Sequence, residues 1–182
     1  MKKTVLIVLL VILCAIFASS VNAVWRNLRP DGDGVATQWY GQYDCDGYDC
    51  INEVLRNDST YVFTNISNQT EYYTLENWTL SDDYCIENVN FYVVGKYYDS
   101  THYYFSPGFI INGTWYEWGS VGLPSYWSST QLITDENPAT GEKWKASELD
   151  DLGIGVKTKT SVPGAIISQY YVRVNYRTCP RP

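Results

Sequence analysis

The chain has 182 residues, with 13 basic and 20 acidic side chains and a formal net charge of −7. The basic residues do not cluster along the sequence, and this acidity argues against nucleic acid or an anionic membrane surface as a partner. Seventeen tyrosines and seven tryptophans point to strands, because aromatic side chains pack well on pleated surfaces.

In chain order, the first segment is an export signal. Lys2 and Lys3 precede an apolar run from Val5 to Ala18, and Val21 and Ala23 are small residues where a signal peptidase cuts. The run is about 14 residues, short of the roughly 20 that span a bilayer. Residues 1–23 are therefore read as a signal peptide and 24–182 as a single β-sandwich domain. That domain is expected to be secreted and associated with the cell surface, without stable membrane insertion after cleavage. Cys14 follows Leu13 rather than a small residue, so it is expected to leave with the signal and carry no lipid.

Four cysteines remain: Cys45, Cys50, Cys85 and Cys179. An even count in an exported chain reads as two disulfides, with three pairings open. The favoured pairing is Cys45–Cys50, closing a short loop, with Cys85–Cys179 tying the end of the last strand to mid-chain. Around the first pair lie Asp31 and Asp33 in a Gly-rich turn, then Asp44, Asp46 and Asp49. Such loops offer the oxygens that Ca²⁺ takes, although no Glu stands at the twelfth position of an EF-hand loop. Apart from this structural Ca²⁺, no cofactor is expected.

Five glycosylation sequons follow, at Asn57, Asn65, Asn68, Asn77 and Asn112, against about two expected by chance. Candidate strands are 38–42, 59–64, 72–79, 89–96, 103–111, 114–121, 126–132, 154–159 and 168–177. In the last, Tyr170, Val172, Val174 and Tyr176 share one face, opposite Tyr171, Arg173 and Asn175, as in a half-buried strand. Pro30-Asp-Gly-Asp-Gly reads as a turn. Asn112-Gly113 between two apolar runs is the strongest hairpin signal. Alternation there puts Tyr116 and Trp118 inward and Trp115 outward. Trp144 to Leu152, stopped by Gly153, reads as a helix of at most two turns. Together these elements predict an all-β fold: an antiparallel β-sandwich of jelly-roll type with one short helix near 145–152.

One stretch carries a family resemblance. Asn137-Pro-Ala-Thr-Gly-Glu-Lys-Trp-Lys-Ala-Ser-Glu-Leu-Asp-Asp-Leu-Gly-Ile-Gly-Val-Lys is similar to a stretch in β-sandwich modules of secreted, cell-surface and phage-associated proteins. Leu28-Arg-Pro-Asp-Gly-Asp, Ile51-Asn-Glu-Val with Asp58-Ser-Thr-Tyr-Val, and Tyr171-Val-Arg-Val-Asn-Tyr fit the same modules in order. The resemblance implies a jelly roll like concanavalin or carbohydrate-binding modules, with no established reaction. The chain departs from it at Lys145, where those modules have a Thr cap.

Catalysis is not expected. His102 is the one histidine, and no nucleophile elbow accompanies it. Glu148-Leu-Asp150 lacks the second Glu of a hydrolase strand motif. The primary expectation is a non-catalytic structural or adhesive surface glycoprotein, such as a surface-layer, filament or matrix component. Its partners would be itself or other surface proteins, joined by strand addition at an unpaired edge. The alternative is a stand-alone carbohydrate-binding module with a polysaccharide partner, using Trp115, Tyr126 and Trp127 as stacking surfaces. A small polysaccharide hydrolase or lyase is the third reading; it needs two carboxylates facing each other across a cleft.

Overall fold

The computed structural model describes residues 23–41, 45, 47–64, 66–97, 103–159 and 164–180. The signal segment, Asp44, Asp46, Asn65 and His102 lie outside them. The strands are β1 (Val24–Leu28), β2 (Pro30–Thr37), β3 (Tyr40–Gly41), β4 (Val62–Thr64), β5 (Thr70–Leu75), β6 (Tyr84–Tyr97), β7 (Tyr103–Ile111), β8 (Thr114–Glu117), β9 (Val121–Leu123), β10 (Ser128–Thr134), β11 (Gly153–Thr158) and β12 (Ala165–Thr178). They form two six-stranded antiparallel sheets. The first runs β10-β6-β12-β4-β3 with β1 also on β12, and the second runs β2-β5-β11-β7-β8 with β9 on β7. From β4 to β7 and from β10 to β12 the chain crosses between sheets at every strand, the connectivity of a jelly roll.

Alternation decides what lies between the sheets. Phe91 and Val93 of β6, Tyr170, Val172 and Val174 of β12, Tyr73 of β5, Phe109 of β7 and Ile154 of β11 are all buried. Phe91 stacks on Tyr170 at 5.9 Å, Tyr170 meets Tyr73 at 5.6 Å, and Phe109 takes the edges of Trp118 at 5.9 Å and Trp144 at 5.7 Å. Offset and edge contacts of this kind suit the aromatic quadrupole. Cys45 is bonded to Cys50 and Cys85 to Cys179, with Cα atoms 5.3 and 5.0 Å apart.

Three local expectations change. The helix near 145–152 is a single 3₁₀ turn, Ala146–Glu148. Leu149 and Leu152 both enter the core and β11 begins at Gly153, so only i→i+3 bonds form, such as Leu149 N–H to Ala146 C=O at 3.2 Å. Lys145 begins this turn through its backbone, its N–H donating to Glu148 Oε2 at 2.8 Å. Pro30-Asp-Gly-Asp-Gly is not a turn but the start of β2, an edge strand whose pairing with β5 slips twice. Pro at a first strand position and glycines at irregular pairings are compatible with an edge strand. Third, the 114–121 strand ends at Glu117, and Val121–Leu123 is a separate strand.

The Asn137 stretch forms a closed loop. Asn137 is buried; its C=O accepts from the N–H groups of Thr140 and Gly141, and its Oδ1 accepts from Ala139 N–H at 2.8 Å. Gly141 has φ 70°, a conformation that favours glycine. The loop delivers Trp144 to the core. Among the described residues no helix is long and apolar enough to cross a membrane.

Candidate functional site

The outer face of the first sheet follows directly from register. Trp25 lies opposite Asn175, and Asn27 opposite Arg173, where β1 pairs with β12. Across β12 and β6, Tyr171 faces Tyr92, Arg173 faces Asn90 and Asn175 faces Asn88. On β10, Gln131 lies opposite Tyr92 and Ile133 opposite Asn90. These residues alternate with buried Val172, Val174 and Phe91, so their side chains point away from the core, with Asn90 covered by its neighbours there.

There they form one layered row. Tyr92 and Tyr171 stack at 4.6 Å with their planes 8° apart. The Arg173 guanidinium sits 4.6 Å from the Trp25 ring, 5.2 Å from Tyr92 and 6.0 Å from Tyr171. Arg29 lies 5.6 Å from Tyr171 on the other side. Planar cations over aromatic faces attract through the ring quadrupole. Trp25 remains 56% exposed. Amides frame the row. Asn175 Nδ2 donates to Asn88 Oδ1 at 2.6 Å, and Arg173 Nε donates to Asn27 Oδ1 at 3.0 Å. The segment Glu53–Leu55 lies against this face: the Glu53 carbonyl accepts from Arg29 at 2.5 Å and from Gln169 at 2.7 Å, leaving Val54 and Leu55 exposed. Burial pushes the Tyr171 phenol up, against the pull of Arg173.

A second cationic cluster occupies the far end of the same face. Lys96 lies 4.8 Å and Arg56 5.8 Å from the Trp127 ring, which also meets Tyr61 at 6.3 Å. Tyr126 beside it is exposed. Trp115, the third aromatic singled out from sequence, is on the other sheet. It pairs with Ile110 and therefore faces outward, while Tyr116 faces inward opposite Phe109. The turn residues Asn112 and Gly113 have φ of 51° and 73°, as a type I′ hairpin requires. The Trp115 ring lies over Gly108 and meets Tyr72 at 4.9 Å. The three aromatics are thus divided between the two sheets.

Asp31 accepts from Thr74 Oγ1 at 3.0 Å and Asp33 from Tyr48 N–H at 2.9 Å. Both line an open pocket of about 510 Å³ with Asp150 and Asp151. Among the described residues no three acidic, His or Cys side chains converge as a metal would need. Asn57, Asn68, Asn77 and Asn112 are exposed.

One buried acid escaped the sequence reading. Glu71, on β5, is 0% exposed, and its Oε2 accepts from the N–H groups of Gln38 at 2.6 Å and Trp39 at 2.9 Å. Burial pushes its carboxyl up to about 7, against the pull of those amides. The Tyr73 hydroxyl adds to the pull of those amides, while the Tyr170 hydroxyl nearby has no hydrogen-bond partner among the described residues.

No family model matches the chain, and no curated protein matches it in sequence. Among solved structures it is similar to a family 35 carbohydrate-binding module from Cellvibrio japonicus, at 12% identity over 87% of this chain and 100% of that one, TM-score 0.46. It is similar to a family 35 module from Clostridium thermocellum at 10% identity, over 84% of this chain and 98% of that one, TM-score 0.46. It is also similar to the xylan-binding CBM22-1 domain of Paenibacillus barcinonensis Xyn10C at 7% identity, over 82% and 85% of the two chains, TM-score 0.42.

Proposed function

We propose that the chain is an extracellular polysaccharide-binding module whose binding surface is the outer face of the first sheet. The observation that carries this reading is the row Trp25–Arg173–Tyr92–Tyr171–Arg29, bordered by the side chains of Asn27, Asn88, Asn175 and Gln131. A sugar ring has apolar C–H faces and a hydroxyl rim. An exposed indole suits the first, and amides and guanidinium groups suit the second. The side chains are ordered by their own stacking, so binding forfeits little of their rotamer freedom. Two disulfides support an oxidising compartment. Affinity electrophoresis of the secreted protein through gels containing soluble polysaccharides tests the reading. At least one polysaccharide is expected to retard it, and Trp25→Ala to weaken that retardation by about tenfold. Retardation by none, or retardation untouched by Trp25→Ala and Tyr171→Ala, overturns it.

A second reading, assembly by strand addition, is favoured by β10. Among the described residues this strand pairs only with β6; it carries no charge over Ser128–Thr134 and exposes Ile133. Natural edges are usually blunted by Lys or Pro. Sedimentation of wild type against Ile133→Lys measures any such association.

A further inference from the structure

We propose that the polysaccharide is an acidic one, its carboxylate or sulfate ester held by the Arg173 guanidinium with Arg29 as a second positive charge. This rests on reading the first sheet's outer face as a polysaccharide site. The chain carries 20 acidic against 13 basic residues, so a basic side chain has many potential partners. Arg26, Arg56, Lys143, Lys145, Lys159 and Arg177 each have an acidic partner. Arg29, Lys96, Lys157 and Arg173 form no ion pair among the described residues, and of these Arg29 and Arg173 flank the aromatic row; Glu76 acts on Arg29 only at longer range.

The hydrogen bonds point the same way. Arg173 uses only Nε, donating to Asn27, so both of its Nη groups lack a partner among the described residues. Two parallel N–H donors on a planar cation match an oxyanion in bidentate geometry. The Trp25 and Tyr92 rings hold that fork in place from either side. Arg29 is partly desolvated, and burial lowers its pKa against the attraction of Glu76. A ligand anion would offset that cost. Lys96, which forms no ion pair among the described residues, lies further along the same face. It is four residues from Tyr92 on β6, roughly 13 Å, so a polymer with repeated charges can meet both Arg173 and Lys96.

Calorimetric titration of the mature protein decides the matter, with four polymers as probes: polygalacturonate, the same polymer methyl-esterified, dextran sulfate and dextran. At least one acidic polymer should bind about tenfold or more tighter than its neutral counterpart, with affinity falling as salt rises. Whichever acid binds identifies carboxylate or sulfate as the preferred group. Arg173→Gln should lose most of that preference, Arg173→Lys should keep part of it, and Arg29→Gln should reduce it; melting curves establish that each variant is folded. If Arg173→Gln fails to fold, Arg173→Lys and Arg29→Gln carry the test. Equal binding of an acid and its neutral counterpart overturns the inference and leaves the polysaccharide reading intact. Binding to none of the four counts against that reading itself. Tighter binding to single-stranded oligo-dT than to either acid overturns the inference in favour of a nucleic-acid partner.

Discussion

The two outer faces of the sandwich use aromatic side chains in opposite ways. On the second sheet, Tyr72 of β5 leans over Gly155 and Trp115 of β8 leans over Gly108, so the rings meet at 4.9 Å above two strands that lack side chains there. The rings fill a groove made by glycines, and the surface is complete in itself. On the first sheet, Tyr92 and Tyr171 stand on adjacent strands with Arg173 layered between Tyr92 and Trp25. Among the described residues no glycine groove receives them, and neither Arg29 nor Arg173 forms an ion pair there. Aromatic density alone does not distinguish packing from recognition; what lies beneath the ring and which charges remain unmatched do.

If the comparison holds, changes on the second sheet act on stability and changes on the first act on binding. The largest expected effect comes from Glu71. Its folded carboxyl holds a proton to about pH 7, whereas the unfolded chain releases it near 4.5. The stabilisation is complete below about 4.5 and is lost as pH rises through 7, amounting to at most about 3 kcal/mol. Denaturant titrations across that range should show wild type losing stability and Glu71→Gln staying level; a wild-type curve that rises with pH refutes the assignment.

Next is Gly155→Val. A side chain there meets the Glu71 carbonyl and the Tyr72 ring, so about 2–3 kcal/mol of stability should be lost on thermal unfolding. Trp115→Ala empties the groove over Gly108 and should cost about 2 kcal/mol, with polysaccharide retention unchanged. Loss of retention without loss of stability would move the binding surface to the second sheet. Smallest in free energy is Tyr171→Ala, about 1.4 kcal/mol and read as tenfold weaker retention, with the melting temperature nearly unchanged.

Much of this fold is readable from pattern. The alternation in β12 separates Tyr170, Val172 and Val174 from Tyr171, Arg173 and Asn175, and Asn112-Gly113 marks the hairpin because both residues must take positive φ. The ends are less readable. Val24–Leu28 lacks a clean period, and Pro30 with two glycines resembles a turn, yet both segments are strands because a neighbour supplies the ladder. The candidate surface is harder still. Trp25, Arg29, Tyr92 and Arg173 come from distant parts of the chain, so basic residues that do not cluster in sequence gather only when β1, β12 and β6 align. Glu71 interrupts an otherwise ordinary strand, Thr-Glu-Tyr-Tyr-Thr-Leu, and nothing local reveals that the amides of Gln38 and Trp39 will close over it.

The attachment of β1 has a mechanical consequence. That strand carries Trp25 and, among the described residues, pairs with β12 alone, Val24 opposite Tyr176 through Leu28 opposite Val172. Its first residue and the last residues of β12 therefore emerge at the same end of the sheet. A pull separating them opens the five pairs one after another, as a zip, rather than shearing them together. The Cys85–Cys179 bond passes load from β12 into β6, so the Tyr92–Tyr171 pair stays in place. On the polysaccharide-binding reading, tension between these ends would remove Trp25 from the surface first and weaken the hold on a ligand before the domain itself gives way.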